Sequence, residues 1–160
     1  MNGGDPTLYR PCVGVMLVNA EGKVFVGRRI DNKEGDWWQM PQGGVDEGED
    51  LRAAALRELA EETGARPEHV SIIRQIDEPV RYDLPEDLIG KLWNGRYRGQ
   101  EQVWFLARFG GTDADIDLEA HDPPEFCDWK WVEPEQLPEL IVPFKKRVYR
   151  TVVEAFRELV

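Results

Sequence analysis

Three carboxylates, Glu58, Glu61 and Glu62, fall within five consecutive positions in a stretch of strong helix formers. At about 100° per residue, Glu58 and Glu62 share one helix face and Glu61 stands beside them. Like charges at that spacing destabilise a helix. At the edge of a buried stripe they would also take up protons rather than stay ionised. A hard divalent cation removes both penalties, because carboxylate oxygens suit Mg²⁺ or Mn²⁺. Arg57 can offset part of the charge by pairing with Glu49 or Glu61. An acidic run alone is more often a solvated face, so the surrounding pattern decides.

The elements that must position these carboxylates start with a glycine-rich loop. Gly43, Gly44 and Gly48 permit a tight backbone path. Asp46 or Glu47 is expected to cap the helix that follows, and Glu49 and Asp50 favour its positive end. Leu51, Ala55 and Leu59 form its buried stripe. Gly64 stands where a left-handed C-terminal cap is expected.

Before the loop, Tyr9 to Asn19 and Val24 to Arg29 read as a strand hairpin, and Trp37 to Met40 as a short strand stopped by Pro41. After the helix, Val70 begins a strand that runs on toward Tyr82, Glu101 to Arg108 forms another, and Phe126 to Val132 alternates as a third. The segment from Asp83 to Gly99, with a turn at Pro85 to Ile89, is long enough to suggest a functional loop. Pro134 to Leu137 suits one helical turn. Pro143 to Leu159 is the last helix, with Val148, Val152, Phe156 and Leu159 on its buried stripe. Residues 1–8 are expected to be a loose tail, and the whole chain, 1–160, one domain. This order implies an α/β fold, a mixed sheet with helices on its faces.

The full pattern reads G-x5-E-x7-R-E-L-x-E-E-x-G from Gly43 to Gly64. It resembles the Nudix box of hydrolases that cleave nucleoside diphosphates linked to another moiety. Ala65 is the one departure, a packing position usually held by a larger aliphatic residue. The resemblance implies an α/β/α sandwich. Gly44, Glu49, Arg57 and Gly64 would be structural members of the box. Glu58, Glu61 and Glu62 would bind Mg²⁺ or Mn²⁺, with the Gly43 carbonyl, two or more ions being present once substrate is bound.

Beyond the box, Tyr9-Arg10-Pro11-x-Val13-Gly14, Trp38-Gln39-Met40-Pro41-Gln42, Arg81-Tyr82-x-Leu84-Pro85, Gly99-Gln100-x-Gln102-x-Trp104-Phe105, Pro124-Glu125-Phe126 and Phe144-Lys145 are similar to the bacterial RNA 5′-pyrophosphohydrolase branch. That branch also includes dinucleoside polyphosphate hydrolases. By this resemblance Glu125 would add a catalytic, metal-binding carboxylate. Arg10, Arg28, Arg29 and Lys145 would hold phosphates. Tyr82 and Phe144 would sandwich a base, a contact worth about 1–3 kcal/mol. Trp38 and Gln102 would join the substrate-binding set. Glu58 is the first choice of general base and Glu125 the second. The expected reaction converts a 5′-tri- or diphosphorylated RNA end to a 5′-monophosphate. The alternative is hydrolysis of a diadenosine polyphosphate. A non-catalytic nucleotide sensor would be expected to lack box carboxylates, and all are present here. The long loop weighs against cleansing of oxidised nucleotides.

Composition narrows the field. The chain has 160 residues, 41% of them hydrophobic, with six Trp and six Phe, which is ample for a core. A net charge of −11 opposes broad nucleic-acid binding, so DNA is not an expected partner. No apolar run is long enough to span a membrane. Met1 to Arg10 lacks the features of a signal peptide, and the cytoplasm is the expected location. Cys12 and Cys127 are expected to be buried, reduced thiols.

Overall fold

The computed structural model describes residues 8–31, 35–89, 91 and 95–160. The predicted tail falls outside this set except at Leu8. The organising strand is β1 (Tyr9–Val18), whose residues from Cys12 to Val18 are all buried. An unbroken buried run belongs to a strand covered on both faces. The other strands are β2 (Val24–Arg29), β3 (Gln42–Gly44), β4 (Val70–Gln75), β5 (Val80–Asp83), β6 (Gly99–Phe109) and β7 (Phe126–Val132). The helices are α1 (Leu51–Thr63), the single turn α2 (Leu137–Leu140) and α3 (Lys146–Phe156).

β1 and β6 run parallel through the centre, and every other pairing is antiparallel. The sheet order is β4-β6-β1-β2-β7, with β3 beside β1 and β5 beside β6. Each central strand therefore changes partner along its length. β1 pairs β3 at Cys12 to Gly14 and β2 at Val18. β6 pairs β5 from Gly99 to Gln102 and β4 from Phe105 to Phe109. At one end of the sheet the order is thus β5-β6-β1-β3, and the box carboxylates lie at that end.

Side-chain alternation gives each sheet face its own core. Met16, Trp104 and Leu106 pack with Tyr149, Val152 and Phe156 of α3. Val13, Val15, Leu17 and Phe105 pack with Ala54, Ala55 and Leu59 of α1. A mixed sheet lies between helices, as expected.

Several local expectations change. Asp50, not Asp46 or Glu47, caps α1 by accepting a hydrogen bond from the Ala53 amide at 3.0 Å. The glycine loop runs on through Gly48 at φ 77°, which delays the helix start. Gly64 does take the left-handed cap, at φ 78°. The segment from Trp37 to Met40 is no ladder strand. Gln39 makes one isolated bridge to Gly27, and the Trp38 amide turns instead to the Leu140 carbonyl at 2.8 Å. The strand expected to run from Val70 to Tyr82 breaks into β4 and β5 around Pro79, which has no amide hydrogen to donate. The last helix opens with a 3₁₀ turn at Pro143–Lys145 and closes with another at Arg157–Leu159. The turn at Pro85 forms through the Leu88 amide, while residues 90 and 92–94 of that loop lie outside the described set. Cys12 is buried, which pushes its thiol up to about 11. Cys127 is exposed, because β7 is the sheet's outer strand.

Candidate active site

β3 is three residues long, and two of them are glycine for a steric reason. A Cβ on Gly43 would overlap the carboxyl group of Glu58. A Cβ on Gly44 would come within 2.5 Å of Arg10 Nη2. Successive residues of a strand face opposite sides. The bare backbone of β3 therefore admits an acid on its α1 side and a guanidinium on the other.

Arg57 ties the glycine loop to the helix. Its Nε and Nη2 each donate to Glu49 at 2.8 Å, and Nη2 also donates to the Gly44 carbonyl at 3.0 Å. Nη1 reaches Glu58 at 2.9 Å and Glu61 at 3.5 Å. Sequence reasoning offered Glu49 or Glu61 as partners; the guanidinium takes both, and Glu58 besides. The forked pairing holds the Glu49 carboxyl down at about 2.

Glu62 differs from its neighbours. It is 3% exposed, and no N–H or hydroxyl donor reaches either carboxylate oxygen; the one group that can share a proton with it is the Glu58 carboxyl. Burial pushes its carboxyl well above the usual range, and the charges of Glu58 and Glu125 push it further. Burial also raises Glu58, against the pull of Arg57. The charge of Glu125, just ahead of β7, is thus felt at Glu62 from far along the chain. The Glu125 carbonyl is fixed by the Ile30 amide at 3.0 Å. Glu61 lies on the outer side, a third exposed, toward Arg57.

An ionised carboxylate buried without donors is costly unless a cation meets it. The donor set is all oxygen, which fits Mg²⁺ or Mn²⁺. Among the described residues no three acidic, His or Cys side chains form a ready-made metal cage. Mg²⁺ commonly binds through one or two carboxylates, completing its shell with water and substrate phosphate. The arrangement fits that habit.

The cationic and aromatic candidates gather beyond the glycine strand. Arg10 lies beside Gly44 and donates weakly to Cys12 Sγ at 3.9 Å. Lys145 Nζ stands 5.4 Å from the Tyr82 ring and 5.8 Å from the Phe144 ring. Burial, with the Arg29 charge, lowers its ammonium to about 8. Arg29 makes two hydrogen bonds to Asp31 at 2.8 and 2.7 Å, and the acids Glu125 and Glu62 lie within its field. Arg28 makes a looser pair with Asp36 at 3.8 Å.

Four residues expected to contact substrate are placed differently from that simple picture. Tyr82 and Phe144 touch each other, with centroids 5.9 Å apart and planes tilted 45°. Phe144 is 40% exposed and Tyr82 only 5%, so one open ring is backed by a buried one. Trp38 is packed in the α3-side core, its ring covered by Lys130 Nζ at 4.2 Å and its indole nitrogen donating to Asp36. Gln102 is 1% exposed, with its amide fully engaged by protein. Gln42 and Gln100, which the sequence motifs contain without assigning them a role, join Gln102 in one network. Gln100 and Gln102 lie two apart on one strand face, whereas the bond from Gln102 to Gln42 spans sixty positions and has no local signal.

A cavity of about 770 Å³ opens at the break between β4 and β5, against α3. Arg74, Glu78, Arg81 and Arg147 line it, and Glu58, Glu61, Glu62 and Glu125 do not. The Glu58 carboxyl lies at the β3 end of the sheet instead.

Comparison with known proteins agrees with this geometry. The family described as NUDIX domain matches residues 8–152. The chain is 68% identical over 152 residues to an RNA pyrophosphohydrolase of Novosphingobium aromaticivorans, covering 95% of this chain and 94% of that one. It is 64% identical over 152 residues to an RNA pyrophosphohydrolase of Erythrobacter litoralis, covering 95% and 93%. Among solved structures, the E. coli dihydroneopterin triphosphate pyrophosphohydrolase superposes with TM-score 0.69 at 21% identity, covering 93% of this chain and 100% of that one. A C. elegans Ap4A hydrolase in a binary complex gives TM-score 0.64 at 21% identity, covering 93% and 99%. At that identity the structural likeness is one of fold.

Proposed function

The chain belongs to the NUDIX domain family, and from that premise we propose that it is an RNA 5′-pyrophosphohydrolase that converts 5′-tri- or diphosphorylated RNA ends to 5′-monophosphates. Water attacks phosphorus, a phosphoanhydride bond breaks, and pyrophosphate or phosphate leaves. The observation that carries the hydrolytic reading is Glu62, a buried carboxylate with two unpartnered oxygens one helical turn from Glu58. The names of the relatives at 68% and 64% identity support the choice of RNA end.

Glu58, Glu61, Glu62 and Glu125, with the Gly43 carbonyl, would hold Mg²⁺ or Mn²⁺. Such ions, when bound, neutralise phosphate charge, polarise the attacked phosphorus and acidify water. The chain's own groups do the rest. Arg57 fixes Glu58 against β3, and burial raises the basicity of Glu58, which suits a proton acceptor. Arg10, Arg29 and Lys145 meet the polyphosphate. Phe144 offers a face to a base. Positioning and charge stabilisation dominate such chemistry.

The deciding experiment compares product release from triphosphorylated RNA, diphosphorylated RNA and diadenosine tetraphosphate under one set of conditions, with and without chelator. RNA ends should react fastest, and chelation should stop all turnover. Faster hydrolysis of diadenosine tetraphosphate than of either RNA end would transfer the assignment to dinucleoside polyphosphates. Full turnover after metal removal would end the mechanism.

Lys145 adds a pH signature. Its ammonium loses its proton as pH rises through about 8. The neutral amine holds phosphate less well, so KM should climb above that pH while kcat changes less. Lys145→Arg stays charged and should flatten the profile. An unchanged KM profile in the arginine variant would remove Lys145 from the phosphate site.

A further inference from the structure

The network of Trp104, Gln102, Gln42 and Gln100 has a direction, and one indole sets it. Trp104 Nε1 donates to Gln102 Oε1 at 2.9 Å. An indole N–H can only donate, so the Gln102 amide cannot be turned the other way. Its Nε2 must then supply both remaining bonds, to Gln100 Oε1 at 2.7 Å and Gln42 Oε1 at 3.0 Å. Both flanking amides therefore turn their oxygens inward, toward Gln102. Their NH₂ groups point away from it.

No protein acceptor takes up either NH₂ group among the described residues. The buried unpartnered side-chain atoms in that set belong to Glu62 and His69, so neither NH₂ group is a sealed orphan. Gln42 immediately precedes Gly43, against which Glu58 is seated, and its side chain is partly exposed. Gln100 pairs across the sheet with Tyr82 on one side and Arg10 on the other. The network is thus strung between the carboxylate end of the site and the aromatic end. Its anchor is also built deliberately. Trp104 packs over Gly14, where any Cβ would come within 2.6 Å of the indole.

We infer that Gln102 is a positioning residue, locked by Trp104, that aims the NH₂ groups of Gln42 and Gln100 into the cleft as neutral donors to acceptor oxygens of the substrate. Gln42 serves the polyphosphate and Gln100 the adjoining nucleotide. This deepens the hydrolase reading above and rests on it. Neutral donors suit the site, because they contact phosphate without competing with a cation for it.

Gln102→Glu tests the polarity without touching a residue that meets substrate. A carboxylate at that position can only accept, so Gln42 and Gln100 must reverse to donate to it. Their carbonyls then face the cleft and repel phosphate. KM for triphosphorylated RNA should rise about tenfold or more, with a smaller change in kcat. Because that variant buries a charge, Gln42→Glu provides a second route. It still accepts from Gln102 but loses its outward donor, and should raise KM similarly at an unchanged melting temperature. A binding readout separates this idea from the activity. In ¹⁵N-labelled protein, the side-chain NH₂ signals of Gln42 and Gln100 should shift on titration with a 5′-triphosphorylated trinucleotide in chelator. A shift without hydrolysis of RNA ends in metal would keep the donor pair and reject the enzyme's proposed substrate. Signals that stay fixed at saturation, or a folded Gln42→Glu variant with wild-type KM, would overturn the inference.

Discussion

Glu62→Gln should lower turnover by more than about 100-fold and, in the same protein, raise the melting temperature measured in chelator. The two effects have one cause. Glu62 is sealed from solvent, and neither of its oxygens meets a donor. Its nearest electrostatic neighbours include two further carboxylates, Glu58 and Glu125. In the absence of a cation, ionising it costs stability. The amide carries no charge and escapes the ionisation cost, which outweighs the cost of about 1–3 kcal/mol for burying an unpaired amide, so the melting temperature should rise.

The pH dependence gives the sign of this gain. Burial raises the Glu62 carboxyl above its usual 4.5 in the folded state. The native protein then binds the proton more tightly than the unfolded chain does. Metal-free wild type should lose stability as pH rises from 4.5 through that raised value. The advantage of the variant should be absent in acid and grow toward neutral pH. Mg²⁺ should reverse the ranking. A ligand at about 100 times its Kd stabilises by about 2.7 kcal/mol, and the variant should lose most of that increment. Changes to groups that merely orient a metal ligand typically cost about 10–100-fold, so loss of a ligand should exceed that range. Near-normal turnover, or a variant less stable than wild type in chelator at pH 7, would count against Glu62 as a metal ligand.

Much of this site could be anticipated because its parts are local. Helix formers from Leu51 to Leu59, Gly64 as a cap, and the shared face of Glu58 and Glu62 all follow from spacing within one helix. What escaped depended on the rest of the chain. On paper Asp46 or Glu47 reads as the cap and Asp50 as an acid at the helix's positive end; only the path through Gly48 makes Asp50 the cap. The expected half-buried edge became complete burial at Glu62, where the charges of Arg29, from β2, and of Glu125, just ahead of β7, are felt from far along the chain. Tyr82 and Phe144 were paired around a base, yet in the folded chain they fill the gap with each other. Cys127 was expected inside because β7 alternates, but alternation does not say which strand ends the sheet. The glutamine network is the clearest case. It exists because β3 is inserted beside the first half of β1, bringing Gln42 to Gln102.

Gly43→Ala should leave the fold intact and still reduce kcat by about 100-fold. Gly43 has an ordinary backbone conformation rather than a left-handed one, so alanine imposes no torsional strain there. The obstacle is the side chain of Glu58, whose carboxyl group occupies the place of the new Cβ. That carboxyl is the free end of a flexible side chain, and it can swing aside. Doing so breaks its 2.9 Å contact with Arg57 and carries the proposed base away from the reacting centre. A displacement of about 1 Å at such a centre costs on the order of 10²-fold in rate. Arg10 lies on the other side of β3, with Phe144 and Lys145 beyond it, so KM should change little. Gly48→Ala provides the contrast. Nothing lies within 4 Å of its added Cβ, but its φ of 77° is unfavourable for alanine. That variant should lose about 1 kcal/mol or more of stability and keep its kcat. If instead Gly43→Ala retained wild-type kcat, Glu58 would not need its seat against β3, and its role as base or ligand would have to be given up.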